Sequence, residues 1–112
     1  MNEFEILEDW LKYTHRLGDI AGQDIGAITI SSCDNPGWWI RIYLEKTKFE
    51  KLFFEPILQN VTVDKRNLSD DWLTCYIEDG IFNGVGGSGK LKEIIGIFAE
   101  WIQRNGGLPC VG

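Results

Sequence analysis

Residues 25–44, IGAITISSCDNPGWWIRIYL, read as two strands folded back on each other across Asp34-Asn35-Pro36-Gly37. Successive side chains of a strand point to opposite sides. Trp38, Ile40, Ile42 and Leu44 therefore share one side of the second arm, and Trp39, Arg41 and Tyr43 share the other. The first set is suited to a core. The second mixes rings with a cation, the composition of an interface anchor, because large rings bury much area at small entropic cost. In the turn, Pro36 sets φ near the value a type II bend needs. Gly37 accepts a positive φ, and Asp34 or Asn35 bonds to the backbone inside the bend.

On the N-terminal side, Asn2 caps a helix expected over about residues 3–17. Phe4, Leu7, Trp10, Leu11, Thr14 and Leu17 form its apolar stripe, Gly18 is its left-handed cap, and residues 18–23 form a loop. On the C-terminal side, Leu52-Phe53-Phe54, stopped by Pro56, belongs at an edge or in a loop. Val61 and Val63 suggest a brief strand. Residues 71–78, DWLTCYIE, alternate again, with Leu73, Cys75 and Ile77 opposite Trp72, Thr74, Tyr76 and Glu78. Asp79-Gly80 is a two-residue hairpin signal, returning through Ile81-Phe82-Asn83. Residues 84–89 read as a glycine-rich bend. A last helix spans about residues 90–103, with Leu91, Ile94, Ile95, Phe98, Trp101 and Ile102 on its stripe. The expected fold is α+β: an antiparallel meander sheet of four to five strands with an N-terminal and a C-terminal helix packed on one face. At 112 residues the chain forms a single domain, with its core at about residues 3–105 and a tail at 106–112. Periodicity alone does not say which sheet face the helices cover.

Eleven Lys and Arg against 17 Asp and Glu give a net charge of −6, a field that repels phosphate backbones and anionic headgroups and suits a basic protein partner. No run approaches the roughly 20 apolar residues of a membrane span, and the acidic N-terminus has the wrong sign for a signal peptide. Three separated cysteines, Cys33, Cys75 and Cys110, indicate reduced thiols rather than a disulfide framework or a metal site, and the expected location is the cytoplasm.

Catalytic chemistry finds little footing. Gly84-Val85-Gly86-Gly87-Ser88-Gly89-Lys90-Leu91 matches the glycine and lysine positions of a phosphate-binding P-loop. Leu91, however, replaces the hydroxyl that would ligate magnesium, and a single following helix cannot build a parallel α/β sheet. A nucleotide-binding regulator or enzyme centred on Gly84–Lys90 is kept as the alternative. His15 lies near a helix end, where an imidazolium interacting with the last carbonyls is sufficient explanation. The carboxylate pairs Asp70-Asp71 and Glu78-Asp79 point apart in an extended chain. No metal or cofactor is expected. What remains is the aromatic side of the sheet. If the strands at 38–44 and 72–78 are neighbours, Trp39, Tyr43, Trp72 and Tyr76 cluster, with Arg41 and Glu78 at the edge. These rings are either the floor on which the helices pack or the anchors of a protein interface rimmed by Asp70, Asp71 and Glu78.

Several short blocks carry a family likeness: Trp10-Leu11 in the first helix, Ile25-Gly26 entering a strand, Asp34-Asn35-Pro36-Gly37-Trp38, Phe54-Glu55-Pro56, Asp71-Trp72, Phe82-Asn83-Gly84 before Gly86-Gly87, and Phe98-Ala99-Glu100-Trp101. In order and spacing, from about Glu8 to Ile102, they resemble the immunity protein 53 family. Where many members carry Gly-Asp-Trp-Glu-His, this chain has Gly18-Asp19-Ile20-Ala21-Gly22-Gln23. The resemblance implies a partner encoded beside it, the toxin domain of a bacterial polymorphic or contact-dependent inhibition system, neutralised by binding. The expected contact residues are Trp39, Arg41, Tyr43, Asp70, Asp71, Trp72, Tyr76 and Glu78. The expected target is a basic nuclease, a ribonuclease, held one to one with its active site occluded.

Overall fold

The computed structural model describes residues 3–33, 36–60 and 71–108. The first helix, α1 (Glu5–Ala21), runs four residues past the expected stop. Gly18 lies inside it, and Gly22, at φ 72°, supplies the left-handed cap, its N–H donating to the Gly18 carbonyl at 2.7 Å. A glycine near a helix end does not have to be the cap: the helix tolerates one at a cost of about 1 kcal/mol when a second stands a turn later. The expected loop at 18–23 is therefore mostly helix. The buried stripe is also rotated from the expected one. Ile6, Trp10, Tyr13 and Thr14 face inward, while Phe4 and Leu11 are exposed. Asn2, the expected cap, lies outside the described residues.

Five strands follow: β1 (Ile28–Cys33), β2 (Gly37–Tyr43), β3 (Ile57–Gln59), β4 (Leu73–Glu78) and β5 (Ile81–Gly87). The last helix is α2 (Leu91–Arg104). All pairings are antiparallel, in the order β1-β2-β5-β4-β3. The hairpin β1-β2 and the meander β3-β4-β5 are joined where β5 closes onto β2. β4 is consequently not the neighbour of β2. Asp79 and Gly80 both have positive φ, 53° and 73°, the backbone of a type I′ turn, and Glu78 pairs with Ile81 across it. Gly37 already belongs to β2, paired with Cys33 and Gly87, rather than supplying a positive-φ turn position. Asp34 and Asn35 lie outside the described residues, as do Val61 and Val63.

Residues 84–87, expected as a bend, are the second half of β5. Gly84 and Gly86 point to the helix side, and a Cβ at Gly84 would stand 2.2 Å from Ile94 Cγ2. The absence of side chains there lets α2 lie close against the strand, and this is the work the glycines do. The sheet floor is Ile40, Ile42, Leu73, Cys75 and Phe82, all fully buried, and the rings above it come from α2, α1 and the β2–β3 connection. Phe82 meets Phe98 at 5.1 Å between centroids, Phe98 meets Trp10 edge-on at 5.4 Å, and Phe54 meets Phe82 at 5.5 Å and Trp101 at 5.7 Å. Edge-on aromatic pairs of this kind are favoured by the ring quadrupole. The indole N–H groups find acceptors, Trp10 at the Gly26 carbonyl (3.0 Å) and Trp101 at the Phe53 carbonyl (2.9 Å). Both helices thus lie on the Ile40/Ile42 side. No described helix covers the Trp39 side.

Candidate functional site

The uncovered face is built by the register. One row across it is Ser31, Trp39, Val85, Thr74 and Leu58; the next is Thr29, Arg41, Asn83 and Tyr76; the third is Tyr43, Ile81 and Glu78. β5 stands between β2 and β4, so Trp39 and Tyr43 are separated from Tyr76 by a whole strand, about 10 Å. The expected single cluster of rings is instead two groups with Ile81, Asn83 and Val85 between them. Trp39 is 39% exposed, and Leu58, at the β3 edge of the same row, is 73% exposed. Arg41, Tyr43 and Tyr76 are half-buried and Glu78 is exposed.

The centre of the face has a definite polar structure. Asn83 is 7% exposed and engaged at both ends of its amide: its Oδ1 accepts from Trp39 Nε1 at 3.2 Å and its Nδ2 donates to the Ile81 carbonyl at 3.1 Å. Its amide thereby fixes the plane of the Trp39 indole. The Arg41 guanidinium lies 4.7 Å from the centroid of the Trp39 ring, within cation–π range. Arg41 Nε is buried and has no hydrogen-bond partner among the described residues.

Two of the expected contact residues are less available. Trp72 is only 7% exposed. Its carbonyl accepts from Gly87 N at 3.0 Å, so it stands opposite Gly87, which pairs with Gly37. At that exposure Trp72 offers little surface to a partner and is no part of an exposed cluster. Asp71 is exposed but holds Lys90 in an ion pair and accepts from Asn60 Nδ2, through its carbonyl at 2.6 Å and its Oδ2 at 3.2 Å. Asp70 lies outside the described residues. Ile81, Asn83 and Val85, not among the expected contact residues, also belong to this face. Their signal is the alternation of 81, 83 and 85 with Phe82, Gly84 and Gly86, which the glycines disguise as a bend.

Among the described residues, the candidates for chemistry are engaged in other ways or stand apart. The Lys90 ammonium is engaged by Asp71 and Glu93, and the hydrogen bond to Asp71 foremost raises its pKa above the usual lysine value. His15 is exposed and faces Asp19 at 3.5 Å one turn on; because α1 extends past it, it is not in the last turn. Among the described residues no group of His, Cys, Asp and Glu could hold a metal ion, and no helix is long and apolar enough to cross a membrane. An open groove of about 900 Å³ separates α1 from residues 22–27, with Thr14, His15, Asp19 and Asp24 on its walls. It presents no paired base and nucleophile.

The Cys75 thiol is fully buried on the helix side of β4. Desolvation, with the Glu93 carboxylate adding to it, pushes its pKa up to about 12 from 9.0. The native protein at pH 8 should leave Cys75 unlabelled by a thiol reagent that modifies it readily after denaturation. Because the folded pKa is the higher, the thiol's contribution to stability is whole below pH 9. It is lost between pH 9 and 12, where the unfolded thiol ionises and the folded one does not. Cys75→Val should therefore show a shallower alkaline decline in unfolding midpoint than the parent chain. Equal slopes would contradict this.

The family model described as Immunity protein 53 covers residues 4–103. Neither a curated protein nor a solved structure matches the chain.

Proposed function

Since the chain belongs to the immunity protein 53 family, we propose that it binds the toxin domain encoded beside it, one to one, and neutralises it by occluding its active site, with no chemistry of its own. The observation that carries this reading is the uncovered sheet face. Two helices are packed on one side of the sheet, and the other side presents Trp39, Arg41, Tyr43 and Tyr76 with Glu78 at the rim. Half-buried rings on a rigid sheet lose little entropy on contact and are the usual anchors of tight interfaces. The net charge of −6 favours fast, salt-sensitive encounter with a cationic partner, so the target is taken to be a basic nuclease, a ribonuclease, met in the cytoplasm.

Cells making the neighbouring toxin domain should survive when this chain is co-expressed, and a 1:1 complex should be recovered at low ionic strength. Equal killing with and without the chain, together with no complex, would end the proposal. Lys90→Ala discriminates against the nucleotide-binding alternative. Neutralisation should stay within about twofold, because Lys90 lies beside Asp71 and Glu93 rather than on the proposed contact face. Loss of a measurable nucleotide affinity on the same substitution would instead favour the glycine-run reading.

A further inference from the structure

Arg41 is the one described cation among the register rows of the uncovered face, and it occupies the middle of the face, between Thr29 and Asn83. Among the described residues nothing neutralises it. No described carboxylate forms an ion pair with it, and no described group accepts a hydrogen bond from it. Glu78 lies two strands away, and Asp71 is committed to Lys90. The contact that holds the guanidinium is the Trp39 ring at 4.7 Å, and Trp39 is itself fixed by Asn83. The fork is thus pre-positioned, partly desolvated and unpaired, with Nε already out of water.

An unpaired guanidinium at the edge of water is tolerable. Under a docked protein it would be costly unless the partner paired it, since burying one charge without its complement is strongly unfavourable. A carboxylate meets that need. It matches the planar fork with two parallel hydrogen bonds and cancels the charge, which a neutral carbonyl would leave standing. Resting on the toxin-binding reading above, we propose that the partner brings an aspartate or glutamate carboxylate onto Arg41 at the centre of the interface, inside a contact surface that is otherwise basic. A cationic cleft with a general-base carboxylate at its floor has this charge pattern.

The test uses the neighbouring toxin domain, inactivated by substitution, and titrates it against the full chain and its variants. Arg41→Met should weaken binding roughly 30-fold to several thousandfold, with an unchanged or raised Tm, because no internal hydrogen bond is lost. Arg41→Lys should also weaken it, by at least about tenfold, since an ammonium keeps the charge but cannot make the bidentate pair. When the toxin's Asp and Glu residues are changed singly to their amides, one should reproduce the Arg41→Met loss, and combining the two should give no further loss. Wild-type binding by Arg41→Met, while Trp39→Ala weakens the complex, would overturn the carboxylate proposal and leave the docking face standing. Weakening by Arg41→Met with no coupled toxin carboxylate would overturn it too. A fall in Tm matching the affinity loss would assign Arg41 to the fold instead. If Arg41→Met and Trp39→Ala both bind as wild type, the face itself is wrong, and if the parent chain forms no complex, the immunity reading fails first.

Discussion

Trp10→Ala should unfold the protein or bring it close to that. The indole is fully buried, touches Tyr13, Phe49 and Phe98, and donates to the Gly26 carbonyl at 3.0 Å. Truncating a buried tryptophan costs about 3–5 kcal/mol for the cavity and lost contacts, and an orphaned buried carbonyl adds about 1–3. A domain of this size has roughly 5–15 kcal/mol in hand. The second effect is local: Gly26 holds φ 79° with Thr14 packed where a Cβ would be, and the Trp10 bond ties that segment to α1. Trp10→Phe keeps one aromatic ring but loses the pyrrole part of the indole and its hydrogen bond, so it should cost less than Trp10→Ala, about 2–4 kcal/mol. Denaturant unfolding followed by circular dichroism separates the cases. A Trp10→Ala midpoint within 1 kcal/mol of the parent would show that α1 is peripheral to the core.

Trp39→Ala should do the reverse, sparing the fold and abolishing tight partner binding. The ring is 39% exposed and its one hydrogen bond is to Asn83 Oδ1, so the loss in stability should be about 1–2 kcal/mol, a fall in Tm of roughly 4–8 °C. Its role at an interface is larger. It anchors one row of the face and carries the Arg41 guanidinium on its surface, so removing it deletes an anchor and releases a cation from its fixed position. Central aromatic anchors typically cost 2–4 kcal/mol when truncated, which is about 30- to 1,000-fold in Kd. Lys92→Ala, on the outward side of α2 with its side chain 70% exposed, is the control and should change affinity less than about twofold. If Lys92→Ala weakened the complex and Trp39→Ala did not, the partner would be placed on the helices.

Much of the fold was legible because period and turn chemistry agreed. The two strands of the 25–44 hairpin and the α2 stripe follow from period, the Asp79-Gly80 turn follows from its residues, and each is present. The misreadings share one cause, that glycine is ambiguous. Gly18 was read as a stop and is helix interior; Gly84 and Gly86 were read as a bend and are strand, made compulsory by Ile94. Extending β5 through them also changes the sheet order, because only a strand that long can pair with β2 along its whole length. Phe49 escaped notice because it lies among charges in EKTKFEK, yet it is fully buried under Trp10 and Trp101. The site was half legible. Alternation correctly separated Trp39, Arg41 and Tyr43 from the core side. Whether that side was covered depended on where two helices docked, which is a property of the whole chain.

The two-residue rhythm of β2, β4 and β5 divides labour between neighbours in sequence. Ile40, Ile42, Leu73, Cys75 and Phe82 hold the molecule together, while Trp39, Arg41, Tyr43, Tyr76 and Val85 take the other side. Asn83, buried in the middle row, serves both. A lineage confronted with a new effector can thus rewrite one set while inheriting the other, and a change in whom it resists need not cost it the capacity to fold.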